Sequence, residues 1–484
     1  MADDESSAGA AATPLDEAED SLSPVGRWCV LVAAFAGWMF AGLQISLFVL
    51  VARPAMRDLL PAASEGEIGD WFAWFQCAFL LGAASGGWIF GWMGDRMGRS
   101  RALGSAVLCY SLATVVCYFV DDPYLLVALR YVACLGVGGV WPNAVSLSVE
   151  ALPNVPKSLL AGLMGAAANV GFVLLGVIGY FYFITPDSWR WTLWVGASPA
   201  ILGVWIVGWL PESPRWLAGR VVKPGQAAAQ PMREILRPPL LSRTAIGICL
   251  GAIPVIGTAA NANWLIPWSD QAASQSAVRA VQDAPEAATV PRSEEQADAR
   301  AGETSGEASD ESADRQPSAS SDGQHRKPDP RLKALTQITR SGGAIIGSLL
   351  GGWIATLLGR RTTYFMISLI SLGISSYIFN VLDPLDPQFK LFTFLLGFVG
   401  VTYFGWLPLY LPELFPTRVR STGTGVTFNS GRILAAVAVL GAGTLMQLFG
   451  GDYARVGAFT ALIYAAGMVV ICFAPDTTRE PAED

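Results

Sequence analysis

Apolar stretches of about 20 residues repeat along almost the whole chain and are separated by short polar turns. A stretch of that length crosses the hydrocarbon core of a bilayer as one α-helix, which satisfies its own backbone hydrogen bonds inside lipid. A transmembrane β-barrel would instead alternate apolar and polar positions over short segments. The pattern therefore predicts an all-α integral membrane protein with twelve transmembrane helices.

A ten-residue segment at the end of the second predicted span, GWMGDRMGRS at 91–100, recurs in degraded form as GWIATLLGRR at 352–361. The two copies lie about half a chain length apart, which is typical of a transporter built from two pseudo-symmetric halves. We therefore expect two six-helix bundles, at 27–210 and 243–474, joined by a cytoplasmic linker at 211–242.

Positive charges concentrate in the short loops that follow the even-numbered spans. By the positive-inside rule, both polar tails, 1–26 and 475–484, are cytoplasmic. The segment 269–333 is rich in Ala, Ser, Glu and Asp and has few large apolar residues, which predicts a disordered outer loop between spans 7 and 8. A tolerated insertion explains it better than a lid or a partner tether, because loop-closure entropy grows slowly with length.

Glycines recur at a spacing of four to five residues in spans 2 and 8, at equivalent positions of the repeat. Small residues at such spacing let helix backbones approach closely in lipid, so we expect tight helix packing there. The glycines are Gly82, Gly86 and Gly91 in span 2 and Gly343, Gly347 and Gly352 in span 8.

The turn at 91–101 resembles the loop 2–3 signature of the major facilitator superfamily. The spacing E-x-x-P-x-x-x-[K/R]-S begins at Glu150 in one half and at Glu413 in the other, and the endings PESPRWL (211–217) and PDTT (475–478) are similar to those of sugar porters. The resemblance to the sugar-porter and metabolite–proton-symporter branches, including the organic-acid and sialic-acid types, covers nearly the whole chain except the tails and the outer loop. It implies alternating access around a central cavity.

Charged side chains on these turns are candidates for a latch on the cytoplasmic side. The resemblance implies ion pairs across the seam between the halves, which hold that side shut and break when it opens. Anchoring of the topology by positive charge is the alternative, although an acid at Asp95 works against it. The candidate latch residues are Asp95, Arg96, Arg99, Glu150, Arg360, Glu413 and Arg420.

Polar side chains within the spans are few and are the candidates for solute binding. Arg432 lies near the bilayer centre, where a charge costs several kcal/mol unless it faces a wet cavity or a partner. Arg130 and Arg340, about two turns from the outer face, either bind solute or extend to the interface. Cationic charge without acidic partners favours an anionic solute. The full candidate set is Gln44, Arg130, Asn143, Asn169, Asn261, Asn263, Arg340, Tyr403, Trp406, Asn429 and Arg432.

These features predict a secondary transporter that moves a small organic anion, either a carboxylate or a sugar acid, by alternating access. A neutral sugar porter or facilitator is the alternative, and a non-transporting nutrient sensor is the third candidate. The sequence has no Ser/His/Asp set, Cys/His metal spacing or phosphate-binding glycine loop, so we predict no enzymatic activity, no metal and no cofactor.

The coupling ion stays open, with a proton as one option. Positions Ala41 and Gln44 lack the acids that metabolite–proton symporters usually carry there, and the single histidine, His325, lies in the outer loop. We expect a monomeric multi-pass protein of the plasma membrane, which in bacteria is the inner membrane. Its expected partners are a small-molecule substrate and the lipid bilayer, with no nucleic acid.

Overall fold

The computed structural model describes residues 22–152, 155, 157–219, 231–282, 331–416 and 419–477. Within these residues, twelve helices are long and apolar enough to cross a membrane, as predicted. The first half contains α1 (Pro24–Leu59), α2 (Glu65–Met97), α3 (Arg99–Cys117), α4 (Pro123–Ala151), α5 (Lys157–Phe181) and α6 (Trp191–Trp209). The second half contains α7 (Leu240–Ile256, Gly257–Asn261, Ala262–Trp264 and Leu265–Gln282), α8 (Leu332–Leu358), α9 (Arg360–Val381), α10 (Pro387–Glu413), α11 (Arg420–Leu448) and α12 (Tyr453–Phe473).

The two halves pack by the same rule. Helix α2 packs on α4 as α8 packs on α10, and α1 packs on α5 as α7 packs on α11. The two most extensive contacts between the halves are α2 with α11 and α5 with α8, which pseudo-symmetry exchanges. We call the end of the bundle where α1 begins and α12 ends the terminal face, and the opposite end the distal face.

The sequence repeat ends each copy with a glycine that the backbone requires. Gly98, after α2, has φ +108°, and Gly359, after α8, has φ +83°. Residues with a Cβ rarely adopt such values, so glycine lets the chain reverse there within one residue. This explains why the turn is retained in both halves while the residues between its glycines differ.

Close helix packing at the repeated glycines is confirmed for two of the three pairs. A Cβ on Gly86 would lie 1.9 Å from the carbonyl oxygen of Leu135, and one on Gly347 would lie 2.0 Å from that of Phe398. Both contacts join equivalent helices, α2 with α4 and α8 with α10. Side chains there would force these backbones apart.

The neighbouring helices are similarly close at Gly82 and Gly343, but the third pair differs. A Cβ on Gly91 would meet nothing within 4 Å, and one on Gly352 would meet its nearest atom, in the Leu409 side chain, at 3.6 Å. The packing prediction is therefore wrong for Gly91. At Gly352 the contact with α10 is an ordinary van der Waals contact, and the close approach falls one residue earlier, where a Cβ on Gly351 would lie 2.6 Å from the Thr402 carbonyl oxygen.

The largest difference from the predicted boundaries lies in α7. This helix changes to π-helical geometry at Gly257–Asn261 and to a 3₁₀ turn at Ala262–Trp264. It then continues as α-helix to Gln282, well into the segment expected to be a loop. The predicted disorder of the remaining segment, 283–330, lies outside the described residues, as do 1–21, 220–230 and 478–484.

Candidate functional site

The turn between α2 and α3, on the terminal face, is held by side chains of the first half. Arg99 pairs with Asp95, one helical turn before it, and its Nε lies 3.7 Å from a carboxylate oxygen of Glu150 at the end of α4. Glu150 also accepts a hydrogen bond from Ser213, and Trp216 Nε1 donates to the carbonyl oxygen of Asp95 at 2.9 Å. The PESPRWL segment thus docks on the α2–α3 turn.

The second half repeats this arrangement between α8 and α9. Arg360 Nη2 lies 2.8 Å from Glu413 Oε1, and Glu413 accepts a hydrogen bond from Thr477 at 2.5 Å. The Tyr410 hydroxyl donates to the carbonyl oxygen of Pro475 at 2.6 Å. Residues 475–477 therefore take the place that PESPRWL occupies in the first half.

These contacts differ from the predicted latch. The ion pairs of Asp95, Arg99 and Glu150 stay within the first half, so the expectation of pairs across the seam is wrong for these residues in this conformation. Arg99 has its partners close by: Asp95 lies one helical turn before it, and Glu150 lies at the adjacent end of α4. Arg420 donates to a carbonyl oxygen of its own half at 3.3 Å, and Arg96 lies 4.5 Å from the Trp92 ring centroid.

Three of the solute-binding candidates join helices inside the first half. Arg130, only 2% exposed, donates to the carbonyl oxygen of Gln44 at 2.7 Å, so extension to the interface is excluded. The Gln44 amide donates to Thr114 at 3.0 Å, and the Asn143 amide donates to the carbonyl oxygen of Phe90 at 3.0 Å. These side chains satisfy buried backbone and hydroxyl groups between helices of one bundle.

Three further candidates serve the same purpose in the second half. The Asn261 amide donates to the carbonyl oxygen of Gly457 at 2.7 Å and accepts from Ser375 at 2.6 Å. The Tyr403 hydroxyl bonds a serine of α9 at 2.6 Å, and Trp406 Nε1 donates to the first carbonyl of α9 at 2.9 Å. All three are completely buried within the bundle.

Arg340 lies at the seam between the halves. Its guanidinium is 5.7 Å from the ring centroid of Phe172, which belongs to α5 in the other half. The residue is 5% exposed, so it does not extend to the interface. Its buried Nε has no hydrogen-bond partner, and within the described part of the chain the guanidinium forms no ion pair. Gln337, one turn earlier, donates to the Phe172 carbonyl at 3.0 Å, while its own Oε1 is unpartnered.

Arg432 reaches the seam from α11. Its Nη1 donates to the carbonyl oxygen of Ala83 in α2 at 3.3 Å and lies 3.5 Å from Asn429 Oδ1. The guanidinium also lies 4.7 Å from the Phe428 ring centroid. Arg432 and Asn429 therefore belong to the seam, but weak hydrogen bonds already occupy part of this guanidinium.

The last two candidates flank the seam. Asn169 lies one turn before Phe172 in α5 and donates its amide to a carbonyl oxygen of its own helix at 3.1 Å. Asn263 lies in the 3₁₀ turn of α7, is 2% exposed, and has an unpartnered Oδ1. An unbonded buried carbonyl oxygen is costly, and a bound hydroxyl or a water would satisfy it.

A buried ion network joins the halves near the distal face. Arg53 of α1 contacts Glu65 through Nη2 at 2.7 Å and Asp270 of α7 through Nη1 at 2.8 Å. Asp270 also pairs with Lys333 of α8 at 2.9 Å, and Glu65 pairs with Arg57. We call these five residues the distal ion network. It links the first half to the second through the Arg53–Asp270 pair.

An aromatic layer lies in the same contact region between the halves. The indole of Trp264, at the end of the irregular part of α7, packs edge-on against Phe72 of α2 with centroids 5.0 Å apart. Trp264 also lies 5.8 Å from Tyr453, centroid to centroid, and is completely buried. Ion pairs and aromatic packing therefore close the seam on the distal side.

Comparison with known proteins agrees with this geometry. Residues 29–233 match the family model described as Sugar (and other) transporter. The chain is 23% identical over 450 residues to the probable 4-methylmuconolactone transporter of Cupriavidus pinatubonensis (strain JMP 134 / LMG 1197), covering 92% of this chain and 90% of that protein. A crystal structure of D-xylose-proton symporter superposes with a TM-score of 0.63 at 16% identity, covering 93% and 98% of the two chains. The first half of the chain is thus similar to the Sugar (and other) transporter family, and the whole chain shares the fold of the D-xylose-proton symporter.

A second relative matches over a shorter part. The gallate transporter of Pseudomonas putida is 31% identical over 205 residues, which are 42% of this chain and 44% of that relative. The chain thus spans less than half of that protein in the alignment. The family model and these relatives are those of transporters and not of enzymes, as predicted.

The distal ion network is not among the features predicted from the sequence. Asp270 and Lys333 fall within the predicted outer loop, because the polar segment begins at 269 and ends at 333. The sequence did carry a signal for pairing of Asp270 and Lys333. Each lies within one helical turn of a long apolar run, where a charged side chain needs a partner.

Proposed function

We propose that this chain is a secondary transporter that carries small organic anions bearing a carboxylate, by alternating access between its two halves. The observation that carries the proposal is the Arg340 guanidinium, which is buried at the seam without an anionic partner in the described part of the chain. A buried cation is costly unless it is paired, and a carboxylate is the group whose geometry a guanidinium matches.

The surroundings of Arg340 suit an aromatic or unsaturated acid. The Phe172 ring supplies an apolar face, and the unpartnered Gln337 Oε1 supplies an acceptor for a ligand hydroxyl. Gallate, which one relative's name gives as its cargo, combines a carboxylate, an aromatic ring and hydroxyl groups. Arg432, from the other seam contact, offers a second cation deeper in the path.

A neutral sugar remains the second candidate. It is favoured by the family model, described as Sugar (and other) transporter, and by the fold shared with the D-xylose-proton symporter. Amide groups at the seam, such as those of Asn169 and Asn429, suit sugar hydroxyls. A sugar, however, leaves the charge of Arg340 without a counter-ion.

The proposed orientation puts the terminal face in the cytoplasm and the distal face outside, in a monomer of the bacterial inner membrane. The arginine-rich turns of the terminal face support it. Single cysteines introduced at Asp187 and Arg101 in a cysteine-free variant test it. A membrane-impermeant maleimide should label the first, and not the second, in intact cells.

The test of the cargo compares three ligands on the purified protein: gallate, its uncharged amide and D-xylose. We expect gallate to raise the thermal unfolding midpoint, with little effect of the amide or of the sugar. Uptake of labelled gallate into proteoliposomes, with and without an imposed pH gradient, then tests transport and the coupling ion together. Stabilisation and uptake of xylose alone would overturn the anion proposal and favour the sugar.

A further inference from the structure

The distal ion network contains a guanidinium whose two sides have different partners. Arg53 binds Glu65 through Nε, at 3.3 Å, and through Nη2, at 2.7 Å, and both residues belong to the first half. Its Nη1 donates to Asp270 at 2.8 Å and to Ser274 at 3.3 Å, and both of these belong to the second half. Only the Nη1 contacts must break when the halves separate.

The pairs that remain keep Arg53 oriented after separation. Glu65 is bound by both Arg53 and Arg57 within the first half, and Asp270 keeps Lys333 within the second. Opening therefore exposes one edge of a fixed guanidinium. The network holds three cations against two carboxylates, so its net charge attracts anions.

A second polar group, the Tyr453 hydroxyl, lies beside the distal ion network. Tyr453 is 1% exposed, and its buried hydroxyl lacks a hydrogen-bond partner in the described residues. The Tyr453 ring lies 5.8 Å from that of Trp264, centroid to centroid, in the same contact region between the halves. An anion held by Arg53 would give this hydroxyl an acceptor, which Asp270 does not.

We propose that Arg53 Nη1 is an entry site for the carboxylate of the transported anion, and that Asp270 is a tethered carboxylate that takes its place when the distal side closes. This inference rests on the proposed function, since it requires an anionic cargo. Cargo binding and the Arg53–Asp270 pair compete for the same guanidinium edge. The cargo is therefore released from Arg53 as the seam closes behind it.

The competition makes a prediction that a simple gate does not. If Arg53 and Asp270 only held the seam shut, Arg53→Gln and Asp270→Asn would break the same pair and shift transport in the same direction. At an entry site the two substitutions shift KM in opposite directions. Arg53→Gln removes the cation that binds the cargo, whereas Asp270→Asn removes the carboxylate that competes for it. The double variant should then resemble Arg53→Gln.

The experiment measures KM for external gallate in right-side-out proteoliposomes. We expect Arg53→Gln to raise KM about tenfold, since it removes a charge-assisted hydrogen bond, and Asp270→Asn to lower it about threefold. Arg455→Gln is the matched control, because Arg455 is also a distal cation but is 72% exposed and, among the described residues, forms its ion pair locally with Asp452. Its KM should stay within about twofold of that of the wild type.

Two further measurements keep the test decisive. Asp270→Asn strands Lys333, so Asp270→Asn/Lys333→Gln is measured beside it and should also lower KM. Gallate efflux, which loads from the terminal face, should keep its KM in Arg53→Gln. Equal shifts of external KM in Arg53→Gln and Asp270→Asn would overturn the entry site alone, whereas absence of gallate uptake by the wild type would overturn the proposed function and this site with it.

Discussion

Replacing Arg340 by methionine should separate two effects of the guanidinium. One is the loss of stability that its burial causes in the ligand-free protein, and the other is its contribution to the free energy of ligand binding. The guanidinium is 5% exposed, its Nε is unpartnered, and its described favourable contact is with the Phe172 ring at 5.7 Å. Burial of an unpaired ion costs several kcal/mol, of which a cation–π contact returns about 0.5–2 kcal/mol. Methionine fills similar volume without a charge, so Arg340→Met should stabilise the ligand-free protein by about 1–3 kcal/mol.

The ligand effect has the opposite sign. At a concentration about 100 times Kd, gallate stabilises the wild type by about 2.7 kcal/mol. Loss of a charge-assisted hydrogen bond, about 1.5–3 kcal/mol, raises Kd by roughly 10- to 150-fold. At the same gallate concentration, stabilisation of Arg340→Met should therefore fall to roughly 0.3–1.4 kcal/mol.

Thermal unfolding in detergent, with and without gallate, measures both quantities in one series. Arg340→Lys is the control, because it keeps the charge but loses the planar fork, and should show intermediate ligand stabilisation. The reasoning is refuted if Arg340→Met unfolds at a lower temperature than the wild type while its response to gallate is unchanged. Arg340 would then be a structural cation.

Three other predictions concern the framework of the transporter. Gly86→Ala and Gly347→Ala should each destabilise by about 1–3 kcal/mol through helix separation, whereas Gly91→Ala, with nothing within 4 Å, should shift the unfolding midpoint little. Glu150→Gln should lower the midpoint more than Asp95→Asn, because the Glu150 side chain is 18% exposed and bound by two partners while Asp95 is 69% exposed; equal effects would contradict this. Deletion of 283–330, with Gln282 joined to Arg331 by a short Gly/Ser linker, should leave gallate uptake within a few-fold of normal, and loss of uptake in a correctly inserted protein would show that the segment is required.

Hydropathy identifies the polar residues that lie within the spans, but it does not show in which direction each side chain points. Gln44, Arg130, Asn143, Asn261, Tyr403 and Trp406 all lie in spans, but each faces a neighbour in its own bundle. A span of a twelve-helix bundle is apolar on its lipid side and on much of its packing side, so hydropathy alone does not show which polar residue faces the seam. Arg340, Asn429 and Arg432 were found by the same criterion and do lie there.

The sequence by itself determined the membrane class, the twelve helices, the two-fold repeat and the glycines that end α2 and α8. These follow from local physics, because span length, backbone hydrogen bonding in lipid and positive φ each depend on a few neighbouring residues. Only the tertiary structure decided that the terminal-face pairs of Asp95, Arg99 and Glu150 stay within one half, and that Arg53 and Asp270 meet across the seam. Partner choice among charges far apart in sequence depends on how the helices are arranged in space, and neither composition nor spacing records that arrangement.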